Sequence, residues 1–130
     1  MKTAELTGAL LDYWVARAEG WTFGPQHKTL ECDVWRDADG CIVGVIPASA
    51  WKPSTDWAQG GPIIERERMK VEPLNDGAWT TAARNGAHEI VGAIGPTALV
   101  SAMRAYVISK FGDEVPDDAA IQAAAQGENA

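Results

Sequence analysis

Fifteen consecutive residues near the middle of the chain hold most of the side chains suited to recognising a ligand. They run Trp51-Lys52-Pro53-Ser54-Thr55-Asp56-Trp57-Ala58-Gln59-Gly60-Gly61-Pro62-Ile63-Ile64-Glu65. Indole rings such as those of Trp51 and Trp57 offer rigid planar area on which another ring can stack at low entropic cost. Ser54, Thr55, Asp56 and Gln59 supply short donors and acceptors able to read a polar edge such as a base or a ribose. Gly60-Gly61 permits close backbone approach and leaves amides free to face a ligand. The same residues also admit a purely structural role. Ser54-Thr55-Asp56 would then cap a turn, Trp57 would plug the core, and Gly-Gly-Pro would redirect the chain.

Arg104 is the second residue of interest. It follows Met103 and precedes Tyr106 by two on a helical pattern, so it borders the buried stripe. There it can snorkel or pair with an acid, or act as an anion clamp across a cleft from the central segment. Arg66, Arg68 and Arg84 are weaker candidates for the same task.

Catalytic signatures are missing from the sequence. It contains no phosphate loop, dinucleotide fingerprint, nucleophile elbow or paired metal-binding histidines. His27 and His88 stand alone, and neither sits in a motif that would make it a general base. Cys32 and Cys41 read as small strand residues, without the helix N-terminus or basic neighbour that activates a thiol. A hairpin turn at Asp37–Gly40 places Cys41 near Arg36 and leaves Cys32 out of bridging range, so two free thiols are expected. Glu65 and Glu67 alternate with arginines, which is the pattern of a charged, solvated face. No metal and no cofactor are expected.

These residues must be positioned by a small set of elements. Leu10, Leu11, Trp14, Val15 and Ala18 recur three or four apart between Thr7 and Ala18, giving an amphipathic helix that Gly20 stops. Trp21, Phe23, Gly24 and Pro25 read as a loop. Thr29 to Trp35 alternates as a half-buried strand, and Cys41 to Ile46 completes a hairpin. Ala48 to Pro62 reads as a long loop, with Pro62 opening a short helical turn through Ile63 and Ile64. Met69 to Pro73 is a further strand, followed by an Asn75-Asp76-Gly77 turn. Ala78 to Arg84 and His88 to Ile94 form a second hairpin around Asn85-Gly86. Gly95-Pro96-Thr97 opens a helix that reaches Phe111 on the stripe Leu99, Val100, Met103, Tyr106, Val107 and Phe111, and Gly112 stops it.

At 130 residues, 46% apolar and 22% charged, the chain suits one globular domain. We expect that domain over residues 1–115 and a polar, mobile tail over 116–130. Its longest apolar runs are too short for a membrane span, and no secretory signal is visible. The formal charge of −7 repels phosphate backbones, so general nucleic-acid binding is disfavoured. Asp113, Glu114, Asp117, Asp118 and Glu128 place part of that charge near the C-terminus.

The segment from Ser54 to Glu65, Ser-Thr-Asp-Trp-Ala-Gln-Gly-Gly-Pro-Ile-Ile-Glu, resembles the hallmark of the phage NinX-like family. Leu6-Thr7-Gly8, Trp79 and the helix from Gly95-Pro96-Thr97-Ala98-Leu99 to Ala102-Met103-Arg104 agree with it. The likeness extends to about Val115. It implies a phage or prophage accessory protein acting in the bacterial cytoplasm, and it names no ligand. It also favours a functional role for Trp57 and its neighbours, and it adds Trp79 to the candidate site.

The expected fold is α+β: two main helices on a small antiparallel sheet of about four to five strands, with a long central loop. The expected function is non-catalytic binding of a small polar, nucleotide-like ligand, of use to a phage for sequestering a host defence signal. Trp51, Ser54, Thr55, Asp56, Trp57, Gln59, Arg66, Trp79 and Arg104 form the candidate site. Two alternatives stand beside it: an interaction module whose exposed tryptophans grip a host protein, and a small enzyme using Asp56 and Glu65. A homodimer is expected, because so small a domain has difficulty burying six tryptophans.

Overall fold

The computed structural model describes residues 1–20, 22–24, 33–36, 42–46 and 51–115. The predicted first helix is present as α1 (Gly8–Ala18). Leu11 through Ala16 are all buried, Asp12 among them, so α1 is covered on more than its apolar stripe. Gly20, with φ of +88°, turns the chain away after it.

Strands β1 (Thr22–Gly24), β2 (Asp33–Arg36) and β3 (Ile42–Ile46) make an antiparallel sheet in that order. The β2–β3 pairing is the predicted first hairpin, with an irregularity between Trp35 and Arg36. Strand β1 replaces part of the expected aromatic loop: Thr22 pairs with Arg36 and Phe23 with Trp35. Aromatic and β-branched residues take the strand conformation when a partner strand is there to pair with them. His27, Cys32, Cys41 and the tail from 116 onward lie outside the described residues.

The largest departure follows. Residues expected to extend the central loop fold instead as α2 (Trp57–Glu67), with Pro62 inside it rather than at its start. Asp56 caps the helix, accepting from the Ala58 amide at 2.9 Å, and Arg68 closes it in the left-handed conformation. Gly60, Ile63, Ile64 and Glu67 occupy its inward side, a three-and-four spacing hidden by the helix-breaking residues between them.

Beyond α2, strands β4 (Lys70–Pro73), β5 (Trp79–Arg84) and β6 (Ile90–Gly95) form a second antiparallel sheet in that order. The α+β class is as expected. Among the described residues the strands, however, divide into two sheets of three, and it is α3 that packs on one of them, with α1 and α2 against α3, rather than two helices on four or five strands. The second hairpin has the predicted partners, but its turn is longer than an Asn-Gly pair. The His88 amide donates to Asn85 O, and His88 takes a φ of +65°. The Asn85 carboxamide oxygen holds the loop by accepting from the Ala87 and Glu89 amides.

The last helix, α3 (Ala98–Phe111), is central. It contacts all three strands of the second sheet as well as α1 and α2. Ala102, Met103, Tyr106 and Val107 face the main core with Leu6, Leu11, Trp14 and Val15. Ala105 and Ile108 face Ala83 and Ala93 on the sheet. Small residues allow this close approach, and Ser101 joins its hydroxyl to Thr81 at 2.7 Å and to the Ala93 carbonyl at 3.1 Å. Phe111, expected in the buried stripe, is 41% exposed and touches Trp14 edge-on. The N-terminal residues are bound to the end of α3: Thr3 Oγ1 donates to Gly112 O and the Val115 amide to Met1 O. Among the described residues no helix is long and apolar enough to cross a membrane.

Candidate functional site

The start of the central segment is anchored from below by α1. The Trp51 indole N–H donates to the Asp12 carbonyl at 2.9 Å, and its ring packs on the main core. The Ser54 amide donates to the Asp12 carboxylate at 2.9 Å, and Ser54 is 1% exposed. The Ser54 hydroxyl lies near enough to that carboxylate to favour its charge, yet it makes no hydrogen bond of ordinary geometry. Burial pushes the Asp12 carboxyl above its ordinary range, and Ser54 draws it only part of the way back. Trp51 therefore has the structural role, and Ser54 is a floor rather than a free donor.

The next residues close the loop on itself. Gln59 Oε1 accepts from the Lys52 amide at 2.7 Å, and Asp56 serves α2 as its cap. Thr55 remains exposed, with one long contact of 3.4 Å to the Lys52 carbonyl. Gly60 explains the first glycine of the pair. A Cβ there would meet the Pro53 carbonyl oxygen at 2.4 Å and Leu99 Cδ2 at 2.7 Å. Only glycine lets α2 seat against both the loop and α3. Gly61 is different, since a Cβ would lie 3.7 Å from Trp57 Cε3, in ordinary contact.

Where these elements meet lies an open cleft of about 390 Å³, lined by Ser54, Thr55, Trp57, Trp79, Thr97, Ala98 and Leu99. Trp57 stands on the first turn of α2 and is 58% exposed. Trp79, half-buried, opens β5 opposite Gly95, where β6 approaches α3 closely: a Cβ on Gly95 would meet the Ser101 amide nitrogen at 2.6 Å. The remaining wall is the N-terminus of α3, where Thr97 Oγ1 accepts from the Val100 amide and caps the helix. The opening turn of a helix presents unpaired amides and positive dipole charge. The cleft thus joins two indoles to a wall that suits an acceptor or an anion.

The structure places the two arginines of the candidate site elsewhere. Arg66 forms an ion pair with Glu19 and donates to Tyr106 Oη at 3.0 Å, tying α2 to α1 and α3. The Glu19 hydrogen bond holds the Arg66 guanidinium well above its ordinary pKa. Tyr106, hydrogen-bonded to Glu19, is likewise raised, chiefly by burial. Arg104 donates to Leu6 O at 2.8 Å and Ile94 O at 2.7 Å, and burial draws its pKa down. Neither lines the cleft. The candidate residues brought together there are Ser54, Thr55, Trp57 and Trp79.

Sequence reading overlooked Asp12, which anchors Trp51 and Ser54, and the wall formed by Thr97, Ala98 and Leu99. Thr97 was legible as the opening of a helix, but its place beside Trp57 depends on tertiary packing. Among the described residues no three or more His, Cys, Asp or Glu side chains gather as a metal site. A family model described as Bacteriophage P22, NinX matches residues 2–110, which takes in the whole cleft. No curated protein matches the chain.

Proposed function

We propose that this chain, which belongs to the Bacteriophage P22 NinX family, binds a small polar, nucleotide-like ligand between Trp57 and Trp79 without altering it. The observation that carries this reading is the cleft itself. Two indoles flank a hollow of about 390 Å³ that ends at the α3 N-terminus, a size within the usual range for small-molecule sites. A planar base would stack on Trp57 or Trp79. An attached phosphate or carbonyl would face the first amides of α3, and Thr55 would meet a polar edge. Arg66 and Arg104, occupied elsewhere, have no part in this version of the site. For a phage product in a bacterial cytoplasm, such a site would serve to withdraw a host defence signal from circulation.

A thermal-shift screen against mononucleotides and cyclic dinucleotides tests the proposal. A native-state binder at about one hundred times its Kd stabilises by about 2.7 kcal/mol, a readily measured rise in Tm. Asp56→Asn separates binder from enzyme, because hydrolysis of a bound nucleotide that stopped in this variant would make Asp56 catalytic. The exposure of Trp57 also favours a second reading, a hot spot for a host protein. An unmoved Tm across the panel, with Trp57→Ala folding normally, would leave that interaction role as the better account.

A further inference from the structure

The two edges of the second sheet differ in kind. Strand β4 carries Lys70, Glu72 and Pro73, the charges and proline that discourage pairing with another chain. Strand β6 reads Ile90-Val91-Gly92-Ala93-Ile94-Gly95, with neither charge nor proline. Its outward side chains, Ile90 and Ile94, are 67% and 56% exposed.

The hydrogen-bond phase of β6 follows from its turn. The Asn85 amide donates to Glu89 O at 2.9 Å, so alternation puts Val91, Ala93 and Gly95 in the bonded pairs with β5. Ile90, Gly92 and Ile94 then turn their amides and carbonyls to the open edge. Arg104 reaching Ile94 O from α3 agrees with that phase, and a carbonyl keeps a second lone pair for another donor. Among the described residues no strand pairs with this edge.

We infer that the β6 edge pairs antiparallel with β6 of a second copy of the chain, about a two-fold axis at Gly92, to make a continuous six-stranded sheet. A copy is the occupant because the edge is its own complement. In that register Ile90 faces Ile94 of the partner subunit, Ile94 faces Ile90 of the partner subunit, and the two glycines meet. Both apolar pairs and all outward backbone groups are satisfied at once, as an isologous contact requires. The same register sets Glu89 of the partner subunit opposite Gly95, next to the α3 N-terminus, where a carboxylate meets favourable dipole charge. The partner's Asn85–Glu89 turn thereby flanks the Thr97 rim of the cleft. The pairing does not require the ligand reading to hold.

Light scattering on size-separated protein tests it, with hydrogen exchange resolved at single amides. The wild-type chain is expected at twice its 13.9 kDa mass, with slow exchange at Ile90 and Gly92. Ile90→Lys and Ile94→Lys alter exposed side chains, so each should keep the wild-type circular dichroism, run as a monomer and exchange those amides at least tenfold faster. A wild-type monomer at submillimolar concentration would overturn the inference. So would a dimer that survives both substitutions, or one whose Ile90 and Gly92 amides exchange freely.

Discussion

Trp57 and Asp12 show how far apart two residues of one site lie in what they do. Trp57 is exposed on the first turn of α2, so Trp57→Ala should leave the unfolding free energy within about 0.5 kcal/mol of wild type, as surface changes do. Ligand affinity should fall by about 1–3 kcal/mol, the usual worth of one aromatic stack, read by calorimetric titration. Asp12 works from beneath. Its folded pKa is raised above the ordinary 3.8, so the native state binds a proton more readily than the unfolded chain does. The stabilisation this group gives is present below 3.8 and is lost as pH rises through the folded value. The Tm of Asp12→Asn relative to wild type should therefore climb across that interval and then level off; a flat difference would contradict the assignment. Neither assignment was available from residue type alone. Trp51 and Trp57 lie in one motif, yet Trp51 is bound to α1 while Trp57 faces solvent, and the sequence does not distinguish them.

At the scale of elements, α2 marks the limit of local signals. Gly60, Gly61 and Pro62 all weaken a helix, so the segment reads as a loop. The structure resolves the conflict through packing: Gly60 admits the Pro53 carbonyl and Leu99, and Ile63 enters the core. The two glycines should consequently respond in opposite ways in thermal denaturation. Gly60→Ala forces a Cβ into backbone and should cost about 1–3 kcal/mol. Gly61→Ala meets only ordinary contact with Trp57 and should gain about 0.5–1 kcal/mol from helix propensity. Equal effects would mean that α2 does not seat as described. Where local and tertiary signals agree, the sequence was legible. Thr97 and Gly112 bounded α3 correctly, Gly20 ended α1, and the strands of the second hairpin were found. The turn of that hairpin differs from the expected Asn-Gly pair because His88 occupies a left-handed position that glycine usually fills.

Across the whole molecule, α3 is the member on which the sheet, the other helices and the cleft converge. The Glu19–Arg66–Tyr106 cluster joins all three helices, which gives Arg66 a task in the fold that its place in a charged run concealed. Net charge also acts at this scale. At −7, two copies repel, so added salt should tighten the β6-edge dimer in sedimentation equilibrium. Dissociation by salt would indicate an interface held by ion pairs instead.

The ligand site is tested most directly by amide and indole NMR on the full chain, titrated with the nucleotide that raises Tm most. The indole N–H signals of Trp57 and Trp79 and the amides of Ala98 and Leu99 should move together, while those of Trp14 and Trp51 stay fixed. Saturating nucleotide that leaves Trp57 and Trp79 unmoved, or that shifts a different set of residues, would contradict the proposed site.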